Sequence, residues 1–187
     1  MSRTYNFRRN ITLYHGTLTA LLPGIMEKGL RPRGKARSHD EYLQMASMPQ
    51  FVYLTSSYDL AVQHAVRISE RTANGADITV VGVELNSLDR DLLYPDEDYL
   101  SEEWNSDLRD WTVRVRLNYM KRHQHEWKES LATMKTVAHR SMIPVTALTE
   151  YPVPLWMEKA ARFSLRSQTM RLKMIAASRL AAKAATL

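Results

Sequence analysis

The sequence predicts an α+β fold: a strand-rich body, residues 1–156, followed by one helical extension, residues 157–187. Short runs of β-favouring apolar residues, separated by polar or glycine-containing segments, predict the strands of the body. The extension contains neither glycine nor proline and is rich in Ala, Leu, Met, Lys and Arg, which predicts one long helix. A chain of 187 residues is long enough to bury one core without covalent staples.

The elements of the body follow from these patterns in chain order. Strands are predicted over residues 11–14, 51–55, 78–85, 136–140 and 144–151, and helices over residues 18–28 and 60–71. Gly29 is placed to end the first helix, and Ser57 to cap the second. Residues 111–129 are ambiguous: residues 112–117 alternate like a strand, whereas the residues after them are typical of a polar helix or a loop. The polar composition of residues 31–47 predicts a loop, and the acidic composition of residues 88–110 predicts another. Asp96, Glu97 and Asp98 in the second loop are expected to be solvated.

The net charge of +6 resides entirely in the extension, where seven Lys and Arg residues accompany a single acid, Glu158. Three roles remain open for this basic helix: packing on the body, binding nucleic-acid phosphates, or lying on a membrane surface or a partner. The chain contains no cysteine, which excludes disulfides, thiolate metal sites and a Cys nucleophile. With no transmembrane segment and no apolar signal region, we expect a soluble, cytoplasmic protein.

The common phosphate-binding, dinucleotide-binding, zinc-protease and calcium-binding motifs are absent from the sequence. His123 and His125 stand in a polar stretch without other residues at metal-ligand spacing, so no metal is expected. What remains is a set of polar residues at the ends of apolar strands: His15-Gly16-Thr17, Tyr53 to Ser56, and Glu150. A His beside a Gly suits close approach of a ligand, a Tyr can stack on a flat ring, and a carboxylate can stabilise developing positive charge.

Taken in this order, these residues resemble the ADP-ribosyltransferase superfamily, in the His-Tyr-Glu branch that includes diphtheria toxin and the poly(ADP-ribose) polymerases. The resemblance is carried by Leu13-Tyr14-His15-Gly16-Thr17, by Val52-Tyr53-Leu54-Thr55-Ser56-Ser57 with the helix after it, and by residues 143–150. It implies split antiparallel β-sheets with flanking helices, and NAD as the ADP-ribose donor without a metal. It implies that NAD is bound by His15, Gly16, Thr17, Tyr53, Thr55 and His64, and that Glu150 is the catalytic carboxylate.

The sequence departs from this family in two places. His64 occupies the position of a second tyrosine that encloses nicotinamide, so its role is open between stacking, selecting another ligand and facing the core. Leu148 stands where arginine-modifying members carry a second Glu or Gln, which disfavours protein arginine as the acceptor. Glu84, at the end of a predicted strand, is a rival catalytic acid.

We therefore expect a glycosyltransferase that cleaves the nicotinamide–ribose bond of NAD and transfers ADP-ribose to a macromolecular acceptor, either protein or nucleic acid. The basic tail is a candidate contact for a nucleic-acid acceptor. Two alternatives stay open. One is an NAD-dependent RNA 2′-phosphotransferase of the same fold, for which Arg31, Arg33 and Arg37 are candidate phosphate ligands. The other is a catalytically inactive module of this fold that binds nucleic acid or protein.

Overall fold

The structure is a computed structural model that describes residues 10–34, 47–103 and 112–184, with backbone alone for residues 171–184. Most of the predicted loop over residues 31–47 lies outside these ranges, and so does Arg37. Among the described residues, no helix combines the length and the apolar character that crossing a bilayer requires.

Within the described residues, six strands form one antiparallel sheet in the order β4-β5-β2-β1-β3-β6. The strands are β1 (Thr12–Leu18), β2 (Val52–Thr55), β3 (Ile78–Glu84), β4 (Leu93–Pro95), β5 (Thr136–His139) and β6 (Leu148–Pro152). The helices are α1 (Leu22–Lys28), α2 (Tyr58–Thr72), α3 (Glu97–Glu103), α4 (Val113–Arg122), α5 (Trp127–Thr133) and α6 (Leu155–Ala184). The α+β prediction is confirmed.

The sheet has a weak seam between β1 and β2. On its other side, β1 pairs with β3 over its whole length, from Thr12↔Glu84 to Leu18↔Ile78. Across the seam, Tyr14↔Thr55 is the single register pair that the described residues form. One half of the sheet (β4-β5-β2) is therefore joined to the other (β1-β3-β6) at one point. The division into two sheets that the family resemblance implies stays a prediction.

Both faces of the sheet are covered by packed side chains. Leu13, Leu54 and Val81 belong to a cluster on one face, which we call face A, where residues of α1 and α5 pack. The opposite face, face B, carries two clusters. Phe51 and Ala138 pack with α3 and α4 over one half of the sheet, and Val80 packs with α2 and α6 over the other.

Gly16 lies inside β1, and helix α2 explains why this position has no side chain. A Cβ built on Gly16 would lie 1.9 Å from the carbonyl oxygen of Ala61 and 3.0 Å from the Cβ of Ala65, so the backbone of α2 rests directly on the strand. The prediction that the first strand ends at residue 14, with His15-Gly16-Thr17 beyond it, is wrong. The glycine serves the close approach of a helix, and the strand continues to Leu18.

Two further predictions are wrong. Residues 112–117 alternate in hydropathy, yet they begin helix α4, whose N-cap Thr112 accepts a hydrogen bond from the backbone N–H of Val115. The acidic stretch predicted to be a loop contains β4 and α3. The other predicted elements are present, but α1 begins at Leu22, where residue 18 was predicted, and β6 begins at Leu148, after a 3-10 turn, where residue 144 was predicted. Ser57 caps α2 as expected.

Helix α6 begins at Leu155 and packs on the body through its first turns. Met157, Ala161 and Leu165 contact the cluster on face B, and Arg162 binds the turn between α2 and β3. The prediction of a long C-terminal helix is confirmed, and of the three roles left open for it, packing on the body applies to these turns. The division of the chain at residue 156 stays a prediction.

Candidate functional site

His15 lies at the seam where β1 and β2 part. Its Nδ1 atom is 2.9 Å from the carbonyl oxygen of Tyr53 on the neighbouring strand. The register that joins Tyr14 to Thr55 does not continue to this level, so the imidazole makes the link between the strands that backbone pairing would otherwise make. The seam thus brings a polar side chain of β1 to the backbone of β2.

The bond to Tyr53 fixes the chemical state of the imidazole. A carbonyl oxygen only accepts hydrogen bonds, so Nδ1 must carry the proton. Burial lowers the pKa of His15, which favours the neutral ring at neutral pH. The other nitrogen, Nε2, is then an acceptor, and a ligand hydroxyl is the kind of group it suits.

Glu150 shares a cross-strand row with His15. Both residues are opposite Val81 of β3, with His15 on β1 and Glu150 on the edge strand β6. Residues paired directly across strands point to the same face of a sheet, so both side chains emerge on face A. Their Cα atoms are two strand spacings apart, about 10 Å. Glu150 is exposed.

The next row contains two buried hydroxyl groups. Thr17 of β1 is opposite Thr79 of β3, and their side chains also lie on face A. They are 5% and 2% exposed. The hydroxyl oxygen of Thr79 has no hydrogen-bond partner among the described residues. Face A therefore carries polar groups beside His15 as well as the carboxylate of Glu150.

Tyr53 lies on the other side of the sheet. It precedes Thr55 by two residues, so its ring shares face B with Tyr14 and packs against the cluster of α3 and α4. Its hydroxyl group accepts a hydrogen bond from the backbone N–H of Met48 at 2.9 Å and donates one to Glu97 Oε2 at 2.8 Å. The structure thus brings His15 and Glu150 to one face and places the ring of Tyr53 on the opposite one, at the same seam.

Gly16 and Thr55 have structural contacts on face B, and His64 lies on α2. Gly16 contacts Ala61, as described above, and Thr55 is buried with its hydroxyl accepting a hydrogen bond from the backbone N–H of Ser57. His64 is exposed, one turn after Ala61, so it does not face the core. Of its three open roles, stacking and selection of a ligand remain.

Two buried carboxyl groups beside Tyr53 were missed in the sequence. Asp96 and Glu97 are 8% and 4% exposed, where a solvated loop was expected. Burial, with the charge of Asp96 as the second cause, raises the pKa of Glu97 to about 8. Burial, with the charge of Asp98 as the second cause, raises the pKa of Asp96 to about 6. The available signal was the short apolar run of residues 92–95 immediately before these acids, which forms β4.

The remaining candidates lie away from this site. Glu84 accepts a hydrogen bond from Thr12 Oγ1 at 2.5 Å, and its pairing with Thr12 places it on face B at the far end of β1. Arg33 donates to the carbonyl oxygen of Ser47 at 2.6 Å, and Arg31 to that of Lys28 at 3.1 Å. Of the three arginines proposed as phosphate ligands, the two that the structure describes therefore both bind backbone carbonyl oxygens of this chain.

His123 and His125 belong to the end of α4 and the turn after it. The Nδ1 atom of His123 is 2.7 Å from Glu126 Oε1, and the two imidazole rings are stacked with centroids 6.4 Å apart. No group of three or more His, Cys, Asp or Glu side chains suited to a metal ion occurs in the described part of the chain.

The chain was compared with known proteins. No family model matches it, and no curated protein matches it. Among solved structures, one described as EcPltA aligns with 81% of this chain and 81% of its own, with a TM-score of 0.42 and 12% sequence identity. A likeness at this level carries no argument about function, so the case for a function rests on the residues at the seam.

Proposed function

We propose that this chain is an NAD-dependent ADP-ribosyltransferase that acts on a macromolecule, with Glu150 as the catalytic carboxylate. The observation that carries the proposal is the shared row of His15 and Glu150 on face A, beside the seam between β1 and β2. These are the residues at which the sequence matches the first and last elements of the His-Tyr-Glu motif.

NAD offers groups that fit both residues. The unprotonated Nε2 of His15 would accept a hydrogen bond from a ribose hydroxyl. The parting of β1 and β2 after their single register pair leaves backbone edges near Gly16 and Tyr53 that do not pair with each other. A carboxamide such as that of nicotinamide both donates and accepts, which suits backbone groups of this kind.

The proposed reaction is dissociative. The bond between ribose C1′ and the nicotinamide nitrogen breaks, both bonding electrons leave with nicotinamide, and positive charge develops on the ribose. Glu150 would stabilise this oxocarbenium-like centre electrostatically, as carboxylates do in glycosidic-bond cleavage. A nucleophilic atom of the acceptor then forms the new bond to C1′ and loses its proton.

The test is nicotinamide release from NAD, followed for the wild type, Glu150→Gln and Glu84→Gln. We expect Glu150→Gln to slow release by about 10²- to 10³-fold, by analogy with the loss of one group that stabilises transition-state charge. NAD binding, measured by calorimetry, should be retained because glutamine has the same shape. Glu84→Gln is the matched control, since Glu84 lies on the opposite face, and it should release nicotinamide at the wild-type rate.

The same experiment separates the alternatives. NAD labelled in its adenine, incubated with mixed lysate, shows whether label enters protein or nucleic acid. Formation of ADP-ribose 1″,2″-cyclic phosphate from a 2′-phosphorylated RNA would indicate a 2′-phosphotransferase instead. If the chain neither binds NAD nor releases nicotinamide from it, the proposal is contradicted. The inactive binding module is then the remaining alternative. Full activity of Glu150→Gln, or loss of activity in Glu84→Gln, would overturn the assignment of the carboxylate.

A further inference from the structure

Helix α6 presents a row of large apolar side chains to solvent. Trp156, Phe163 and Met170 are 68%, 75% and 66% exposed. They are spaced by seven residues, about two helical turns, so they form one stripe along the helix. From Trp156 to Met170 this stripe, which we call the outer stripe, is about 21 Å long.

The outer stripe points away from the body. The residues of α6 that pack on face B are Met157, Ala161 and Leu165, and successive residues along a helix are about 100° apart. The packed residues and the outer stripe are therefore on nearly opposite sides of the helix. The body holds α6 in place without covering its apolar outer side.

Apart from Glu70 of α2, whose Oε1 atom lies 3.4 Å from Nη2 of Arg166, the charged side chains beside the outer stripe are basic. Lys159 and Arg166 are exposed and follow Trp156 and Phe163 by three residues, so they form a parallel basic row. The one acid in this part of the chain, Glu158, is turned to Arg162, with 2.7 Å between its Oε1 atom and Nη2. The outer side of the helix thus combines apolar and cationic groups, and it fits a partner that is apolar inside and anionic at its surface.

We propose that the outer side of α6 docks on an anionic lipid surface. Trp156, Phe163 and Met170 would enter the boundary between headgroups and acyl chains, while Lys159 and Arg166 bind the headgroup phosphates. This is how basic amphipathic helices lie on membranes. The helix would lie flat with the body above it, since the packed side faces the other way.

Two other occupants match the observations less well. A second copy of α6 would bring Lys159 and Arg166 against the same bases, and like charges repel. A nucleic acid would match the basic side chains, and a single strand could stack bases on the aromatic rings, but neither contact makes use of Met170. Of these three occupants, a lipid surface is the one that uses the whole apolar row and the cationic row together.

The test is sedimentation of the full chain with vesicles of phosphatidylcholine alone and of phosphatidylcholine mixed with phosphatidylglycerol. We expect binding to the anionic vesicles only. The double variant Lys159→Gln, Arg166→Gln should bind more weakly by about fivefold for each base removed. Its matched control is Lys121→Gln, Arg122→Gln, which removes two exposed bases from α4 and should bind like the wild type.

The apolar row is tested by Phe163→Ser, Met170→Ser, which keeps every charge and should lose most of the binding. In the wild type, Trp156 emission should shift to the blue on anionic vesicles, and Trp156→Phe should remove this shift while keeping the binding. Circular dichroism checks that the variants remain folded. Binding that survives Phe163→Ser, Met170→Ser, or tighter binding to a fluorescent single-stranded oligoribonucleotide than to the vesicles, would overturn the proposal.

Discussion

The imidazole of His15 donates a hydrogen bond over 2.9 Å to the carbonyl oxygen of Tyr53 and so links β1 and β2 beyond their single register pair, Tyr14↔Thr55. The Nδ1 atom of His15 ties the two halves of the sheet together, and in the proposed function its Nε2 atom would accept a hydrogen bond from NAD. A substitution at His15 should affect both stability and binding, and the two effects are separable.

We expect His15→Ala to lower the free energy of unfolding by at least about 1 kcal/mol, because the bond to Tyr53 is lost and its carbonyl is left without this donor. His15→Gln should recover part of this loss, since an amide N–H can donate to the same oxygen. Both variants should weaken NAD binding. Urea unfolding and calorimetric titration with NAD measure the two effects. Wild-type stability of His15→Ala would show that the link contributes nothing.

Gly16 yields a prediction about the packing beneath the site. Gly16→Ala places a methyl group 1.9 Å from the carbonyl oxygen of Ala61, so α2 must move, and we expect a loss of about 3 kcal/mol or more. Gly24→Ala is the matched control, because a Cβ at Gly24 meets no atom within 4 Å. It should be neutral or stabilise the protein by up to about 1 kcal/mol, since alanine favours α1. Thermal unfolding of both variants decides; equal melting temperatures would mean that α2 does not rest on Gly16.

Glu97 makes stability depend on pH. Its pKa is about 8 in the folded chain, above the ordinary value of 4.5, so the folded state binds its proton more tightly than the unfolded state. The contribution of Glu97 to the free energy of unfolding is therefore fully present below about pH 4.5, and it is lost as the pH rises towards 8. We expect Glu97→Gln, which is permanently neutral, to be more stable than the wild type by an amount that grows to about 3 kcal/mol near pH 7.

Urea unfolding of the wild type and Glu97→Gln at pH 5, 7 and 8 measures this dependence. The amide can still accept the hydrogen bond of Tyr53, so the geometry at its hydroxyl is kept. Glu150→Gln serves as the control because Glu150 is exposed, and its stability should differ little from the wild type at each pH. A constant difference between Glu97→Gln and the wild type across the pH range would show that Glu97 titrates normally.

Much of the fold was predictable because its local signals agree with the packing. The run from Ile78 to Val83 contains no charged residue and is mostly β-branched, and it forms a strand buried on both faces. The prediction that Gly29 ends the first helix is also confirmed. Gly29 follows α1 with φ of 82°, a conformation that glycine adopts without strain. At such positions the sequence pattern and the tertiary structure require the same residue type.

The wrong predictions concern segments whose secondary structure and burial depend on tertiary contacts rather than on the local sequence. Residues 112–117 alternate like a strand, but helix α4 buries Arg116 and Met120, four residues apart, against the body. The prediction of a solvated loop at residues 96–98 is wrong for a different reason. Three successive acidic residues usually indicate exposure to water, but contacts with α5 and β2 bury Asp96 and Glu97. The shared row of His15 and Glu150 depends on which strands become neighbours, and residues 135 positions apart give no local sign of that pairing.

Arg162 binds the first turns of helix α6 to the body. Its guanidinium group donates to Glu70 at 2.8 Å and to Glu158 at 2.7 Å, and it reaches the carbonyl oxygens of Gly75 and Ala76 at 3.1 and 3.0 Å. The Arg162 and Glu158 side chains are 14% and 17% exposed, so water competes little for these bonds. Removing the guanidinium leaves two carboxylates and two carbonyls without their shared donor.

We expect Arg162→Ala to lower the free energy of unfolding by about 2 kcal/mol, since several charge-assisted bonds are lost from a largely buried position. Arg162→Lys should recover only part of this, because an ammonium group lacks the planar fork that reaches all these acceptors. Arg166→Ala is the control: its side chain is 73% exposed and 3.4 Å from Glu70, so its loss should cost less than about 0.5 kcal/mol. Limited proteolysis should cut α6 earlier in Arg162→Ala than in Arg166→Ala, whereas equal cutting rates would mean that the apolar contacts of Met157, Ala161 and Leu165 alone hold the helix.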